Sequence, residues 1–261
     1  MSRIVIFDSG VGGLSIYRAV QAKNPNFDYV FVSDNAAFPY GTKSESALID
    51  RVTQVLERVA ERYAPDILVV ACNTASTVML PILRERFDFE VVGVVPAIKP
   101  AAAISQSRRI GLLATPATIE RDYTNNLIEE FANDCEVFRV GSSELVEISE
   151  QKMRGLAPEP ITISTILEPF VSAADLDVLV LACTHFPLLK NEIDDFFKMK
   201  NMSVWLVDSS AGIANRVEQI GVGRKTKALA AIAVFTEEVD EPSLIEHITY
   251  LGFSEIEFLP I

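Results

Sequence analysis

Residues 66–74 read Asp-Ile-Leu-Val-Val-Ala-Cys-Asn-Thr, and residues 177–185 read Asp-Val-Leu-Val-Leu-Ala-Cys-Thr-His. Each stretch is an acidic residue, an aliphatic run and an Ala-Cys step followed by polar residues, and the cysteines lie 183 − 72 = 111 positions apart. Short, nearly continuous apolar runs suit strands buried on both faces of a parallel sheet. The pattern recurs outward from these two. Candidate strands are Arg3–Phe7, Tyr29–Ser33, Ile67–Ala71, Val91–Val95, Ile110–Leu113, Glu136–Val140, Val178–Ala182 and Val204–Val207. Between them Glu45–Tyr63, Ile119–Asn133, Ile161–Ala173 and Leu188–Met199 have helical length and mixed faces. Alternation of this kind predicts an α/β fold with mainly parallel sheets flanked by helices. The echo predicts two similar halves facing each other across a cleft. Ligands of open α/β sheets bind beyond the carboxyl ends of strands, so each cysteine stands where a catalytic residue would be placed.

Bulk properties narrow the function. The net charge of −13 argues against a nucleic-acid surface, which needs clustered Lys and Arg. A local pocket can still bind a small acidic substrate. No apolar run reaches the roughly 18 residues of a membrane helix. The opening Met1-Ser2-Arg3-Ile4 lacks a signal-peptide layout, so a cytoplasmic protein without membrane contact is expected. Three cysteines (Cys72, Cys135, Cys183) without CxxC spacing, and only two histidines (His185, His247), support neither a disulfide framework nor a metal site.

A free cysteine is most often a small buried hydrophobe. Cys72 and Cys183 differ from Cys135 in sharing a strand-end context and polar neighbours: Asn73 and Thr74 for one, Thr184 and His185 for the other. Two thiols suit inversion at a carbon α to a carboxylate, which needs one group to remove a proton and a second to return it on the opposite face. A thiol with a pKa of about 8.5 can serve either role after modest tuning. His185 can assist proton transfer or favour thiolate at Cys183, or can be a structural histidine.

Ile6-Phe7-Asp8-Ser9-Gly10-Val11-Gly12-Gly13-Leu14-Ser15 runs from a strand through a glycine turn into a helix. A dinucleotide fingerprint would need glycine at position 15, which is serine, so that reading fails. Asp8 can orient or activate a thiol, or can serve as a turn residue. The loop Asn35–Gly41 can offer backbone donors near Tyr40 and Gly41 to a substrate carboxylate, or can be an ordinary connection. Thr115 and Thr118 can cap a helix or bind a carboxylate. Glu147 lies in a helical segment where acidic residues are usually solvated.

Together these segments resemble the glutamate racemase family. The resemblance is carried in order by Phe7-Asp8-Ser9-Gly-Val-Gly-Gly-Leu-Ser, Asp34-Asn-Ala-Ala-Phe-Pro-Tyr40-Gly41, Ala71-Cys72-Asn73-Thr74-Ala-Ser, Gly93-Val-Val-Pro-Ala, Ala114-Thr115-Pro-Ala-Thr118-Ile, Ala182-Cys183-Thr184-His185-Phe-Pro-Leu-Leu and Val207-Asp208-Ser209. It implies racemisation without a cofactor, with Cys72 and Cys183 on opposite faces of the α-carbon. The first-domain thiolate would take the proton of D-glutamate and the second that of L-glutamate. Asp8 would assist Cys72, and His185 and Glu147 would assist Cys183, Glu147 through the match Gly-Ser-Ser-Glu-Leu-Val-Glu. Ser9, Tyr40, Gly41, Asn73, Thr74, Thr115, Thr118 and Thr184 would hold the substrate. The implied architecture is two pseudo-twofold α/β domains, residues 1–95 with 208–261 and residues 96–207. Family members are usually homodimers that supply D-glutamate for peptidoglycan, and some respond to a cell-wall nucleotide precursor.

Two rivals share parts of this pattern. Aspartate racemisation would use the same thiol pair, and one methylene in a pocket is worth only about 1–3 kcal/mol of discrimination. A non-enzymatic module binding a small ligand would leave the cysteines as core residues.

Overall fold

The computed structural model describes residues 3–173, 175–221 and 230–261. Among these residues ten strands form two sheets: β1 (Arg3–Asp8), β2 (Asp28–Ser33), β3 (Ile67–Val70), β4 (Glu90–Gly93), β5 (Arg109–Ala114), β6 (Glu136–Gly141), β7 (Val178–Leu181), β8 (Trp205–Val207), β9 (Ala231–Phe235) and β10 (Glu255–Phe258). One sheet has the order β10-β9-β2-β1-β3-β4 and the other β6-β5-β7-β8. Every pairing is parallel. Central strands are apolar throughout because helices cover both faces: Ile4–Phe7 and Val178–Val180 have no exposed surface.

The repeat legible in the sequence is a repeat of topology. The segment β2-β1-β3-β4 and the sheet β6-β5-β7-β8 run in the same order. Ile4 pairs with Ile67 as Ile110 pairs with Val178, and Phe7 with Val70 as Leu113 with Leu181. In this correspondence Cys72 matches Cys183, and Ser9 matches Thr115. The strand order of each sheet reverses at the β1/β3 or β5/β7 boundary, the switch point beyond whose carboxyl ends a crevice forms.

The helix Glu45–Tyr63 has its expected limits. Leu48, Val52, Val55, Leu56, Val59 and Tyr63 form its buried stripe, Ser44 caps its amino end by accepting from the Ala47 amide, and Ala64 ends it in a left-handed conformation (φ 44°). The expected helix Ile119–Asn133 is two helices, Pro116–Glu120 and Asp122–Phe131, parted at Arg121, whose backbone is extended. The Thr124 hydroxyl satisfies the freed Thr118 carbonyl. Strands β9 and β10 lie outside the sequence expectation. The first is alanine-rich, and the second is a short edge of alternating acid and apolar residues. No helix among the described residues is long and apolar enough to cross a membrane.

Candidate active site

Asp8 ends β1 and is wholly buried. One carboxylate oxygen accepts from the Ser9 amide at 2.6 Å, the Ser9 hydroxyl at 3.2 Å and the Gly10 amide at 3.3 Å. The other accepts from the Thr184 hydroxyl at 2.8 Å, across the boundary between the two sheets. Burial pushes the Asp8 carboxyl up, against the pull of His185, Thr184 and the two amides.

Cys72 occupies the N-cap position of the helix Asn73–Arg86, immediately beyond β3, and its Sγ lies 3.9 Å from the Ser9 hydroxyl. Burial holds its thiol far above the ordinary value, and the nearby Asp8 and Cys183 add to the effect. The Ala75 amide and the Ser9 hydroxyl oppose it without overcoming it. Burial and the neighbouring Asp8 thus favour the neutral thiol at Cys72.

Cys183 follows β7 in the matching position, with its Sγ 3.8 Å from His185 Nδ1. The other ring nitrogen of His185 lies 2.7 Å from Glu150 Oε1. Burial alone would lower the imidazole, but Cys183 and Glu150 outweigh it and raise it well above the ordinary histidine value. Burial likewise acts to raise Glu150, yet His185, Arg154 and the Val11 amide bring its carboxyl down to about 2. The chain Cys183–His185–Glu150–Arg154 thus favours imidazolium beside sulfur, the arrangement that stabilises a thiolate.

One narrow cleft between the two sheets is lined by Cys72, Cys183, Ser9, Tyr40, Gly41, Asn73, Thr74, Thr115, Thr184 and His185. The two thiols that sequence places 111 residues apart (183 − 72) therefore share one cavity. Among the described residues no lysine or arginine lines it, and the donors they supply are hydroxyls, amides and the imidazole. Thr74 Oγ1 lies 3.3 Å from Thr115 Oγ1, which is 2.9 Å from Thr118 Oγ1. Thr115 caps its helix, as one of its two sequence readings expects, and also faces the cleft, while Thr118 stands behind it with no exposed surface. Asn73 Oδ1 is buried without a hydrogen-bond partner among the described residues.

Tyr40 lines the cleft, but its hydroxyl points away and donates to Asp34 at 2.5 Å. Asp34, also wholly buried, accepts from Arg51 Nη2 at 2.6 Å and the Thr236 hydroxyl at 2.7 Å, which pins the loop. A Cβ on Gly41 would lie 3.3 Å from Thr115, so the loop approaches the threonine cluster closely.

Glu147 is corrected by the structure. In the helix Glu144–Met153, Leu145, Val146, Ile148 and Ser149 turn inward and Glu147 is exposed at the rim of an outer cavity. Glu150, one helical step further on, is the carboxylate that meets His185. Acids at 144, 147 and 150 recur at helical spacing, and sequence alone does not say which faces inward. The available signal is Arg154, four residues after Glu150 and ion-paired with it.

Residues 14–217 match the Asp/Glu/Hydantoin racemase family. The chain belongs to that family. Among Asp/Glu/Hydantoin racemases it is 46% identical to the glutamate racemase of Aliivibrio fischeri, over 98% of this chain and 94% of that protein. Its fold matches Escherichia coli glutamate racemase, solved in complex with L-glutamate and the activator UDP-MurNAc-Ala, at a TM-score of 0.92 and 42% identity, covering 99% of this chain and 98% of that one. It also matches a glutamate racemase isoform from Bacillus anthracis at a TM-score of 0.86 and 25% identity, covering 100% of this chain and 98% of that one.

Proposed function

We propose that this member of the racemase family interconverts L- and D-glutamate by proton transfer between the α-carbon and two cysteines. The observation that carries the reading is that Cys72 and Cys183 line one cleft, Cys72 3.9 Å from the Ser9 hydroxyl and Cys183 3.8 Å from His185 Nδ1. With L-glutamate, the Cys183 thiolate takes the α-proton and the electron pair passes into the α-carboxylate. The neutral Cys72 thiol then returns a proton on the opposite face and is left as thiolate. With D-glutamate the roles reverse. Burial beside Asp8 suits Cys72 to the acid role, and His185 suits Cys183 to the base role. The unpartnered Asn73 Oδ1 accepts from the substrate ammonium. Ser9, Thr74, Thr115 and Thr184, with the backbone at Tyr40 and Gly41, hold the carboxylates, and Thr118 braces Thr115. No cofactor enters the scheme.

Glutamate rather than aspartate is favoured by the names of the close relatives. The cleft holds about 20 Å³, little more than one water, so substrate is admitted only when its walls part. The reading therefore takes residues 1–95 with 208–261 and residues 96–207 as two domains that separate and close. Membership of β1–β4, β9 and β10 in one sheet and β5–β8 in the other supports that division. The product would feed peptidoglycan synthesis in the cytoplasm. A homodimer and a response to a cell-wall nucleotide precursor belong to the same proposal, the latter suggested by the activator bound to the E. coli protein.

The test is racemisation of both amino acids followed by circular dichroism. Cys72→Ser and Cys183→Ser should each lower glutamate turnover by orders of magnitude with the far-ultraviolet spectrum unchanged. Full activity in either variant, or faster turnover of aspartate by the natural chain, would overturn the reading.

A further inference from the structure

The groups that tune each cysteine are completed from the opposite sheet. Glu150 and His185 belong to the half built on β5–β8, yet Glu150 Oε1 accepts from the Val11 amide at 2.7 Å. Val11 opens the glycine turn that follows β1 in the other half. The amide and His185 Nε2 share that single oxygen, while Arg154 engages the other. The turn is cut to fit: a Cβ on Gly12 would lie 2.5 Å from His185 Nδ1, and one on Gly10 would lie 2.2 Å from Glu150 Oε1. The contact is reciprocal. Thr184, next to Cys183, donates its hydroxyl to Asp8 at 2.8 Å, and Ser15 donates to the Thr184 carbonyl at 3.0 Å.

We propose that the Val11 amide is a positioning group for the Cys183–His185–Glu150 chain, so that Cys183 becomes a competent base only when the two halves are together. The proposal rests on the racemase reading and deepens it. When the halves part, Glu150 Oε1 loses its fixed amide and Asp8 loses the Thr184 hydroxyl. The imidazole then has no fixed partner geometry against which to hold the thiolate. Closure over substrate sets both thiols at once, and in the open cleft, where a thiolate would meet solvent, they stay unset.

The test variant is Val11→Pro, which removes the N–H. Val11 is the first residue of its 3-10 turn, where proline is tolerated, and Gly10 before it is extended (φ −153°, ψ −152°), outside the helical region that a following proline disfavours. Val11→Ala keeps the N–H and reports the cost of lost packing alone. The equilibrium constant between enantiomers is unity in water, so kcat/KM must fall equally in both directions, by roughly tenfold for a lost charge-assisted hydrogen bond. The discriminating readout is the primary isotope effect. Slower transfer at Cys183 should raise it for α-deuterated L-glutamate and lower it for α-deuterated D-glutamate in Val11→Pro, with no such divergence in Val11→Ala. Equal movement of both isotope effects, or identical behaviour of the two variants, would overturn the proposal. Should Val11→Pro fail to fold, a backbone ester at position 11 (the α-hydroxy acid analogue of valine), which removes only the N–H, must show the same divergence, and its absence is equally fatal. Natural protein that does not racemise glutamate would instead defeat the underlying reading.

Discussion

Replacing Glu150 by Gln keeps the shape and an acceptor for the Val11 amide but removes the charge 2.7 Å from His185 Nε2. The Glu150 carboxyl titrates at about 2 against an ordinary 4.5. That difference corresponds to roughly 3 kcal/mol of net interaction favouring the carboxylate after its burial cost. His185, Arg154 and Val11 supply it together. If about half is shared with His185, the imidazolium loses roughly 1.5 kcal/mol, a tenfold change in its stability over the neutral ring. Circular-dichroism assays should then show kcat/KM down about tenfold in both directions. The alkaline limb of the profile should move down by about one pH unit, because a weaker anionic partner lowers the imidazole. The sign for stability follows from the same group. Its folded-state carboxyl is depressed, so its contribution is complete above about pH 4.5 and fades as the pH falls toward about 2. The stability gap between the natural chain and Glu150→Gln in urea should be widest near neutrality and narrow on acidification. Activity within twofold of the natural chain, with an unmoved alkaline limb, would refute the reasoning.

Two further outcomes follow from the same geometry. Glu147→Gln should leave kcat/KM within about twofold by the same assay, since an exposed carboxylate at an outer rim has little hold on Cys183; a tenfold loss would restore the reading drawn from the sequence match. Asp34→Asn should cost about 3 kcal/mol in urea unfolding by leaving Arg51 without its buried partner, and should raise KM for both enantiomers by loosening the Tyr40 loop. A loss below about 1 kcal/mol would show that Arg51 simply turns to water.

The sequence reveals the strands that lie deep in each sheet because burial on both faces forces unbroken aliphatic runs. It reveals the thiol pair because a strand end repeated 183 − 72 = 111 residues later, with polar neighbours, is hard to obtain from packing needs alone. Strands β9 and β10 escape it for the converse reason, since both contain exposed or small residues that carry little strand signal. The break at Arg121 depends on one backbone conformation, stabilised by a hydroxyl three residues later, which no periodicity reports. Glu150 escapes it because three acids spaced along one helix differ only in what packs against them. The Val11 amide has no side-chain signal at all. What the sequence carries is therefore the placement of the two reacting groups, and what it omits is the set of contacts made across the cleft.

Racemisation in deuterium oxide tests the central claim most directly. With L- or D-glutamate as the starting enantiomer, early turnover should place deuterium at the α-carbon of the product while recovered substrate stays protiated, because the returning proton comes from the second, solvent-exchanged thiol. Equal labelling of substrate and product from the first turnovers would mean that one group both removes and returns the proton, and the two-thiol account would be wrong.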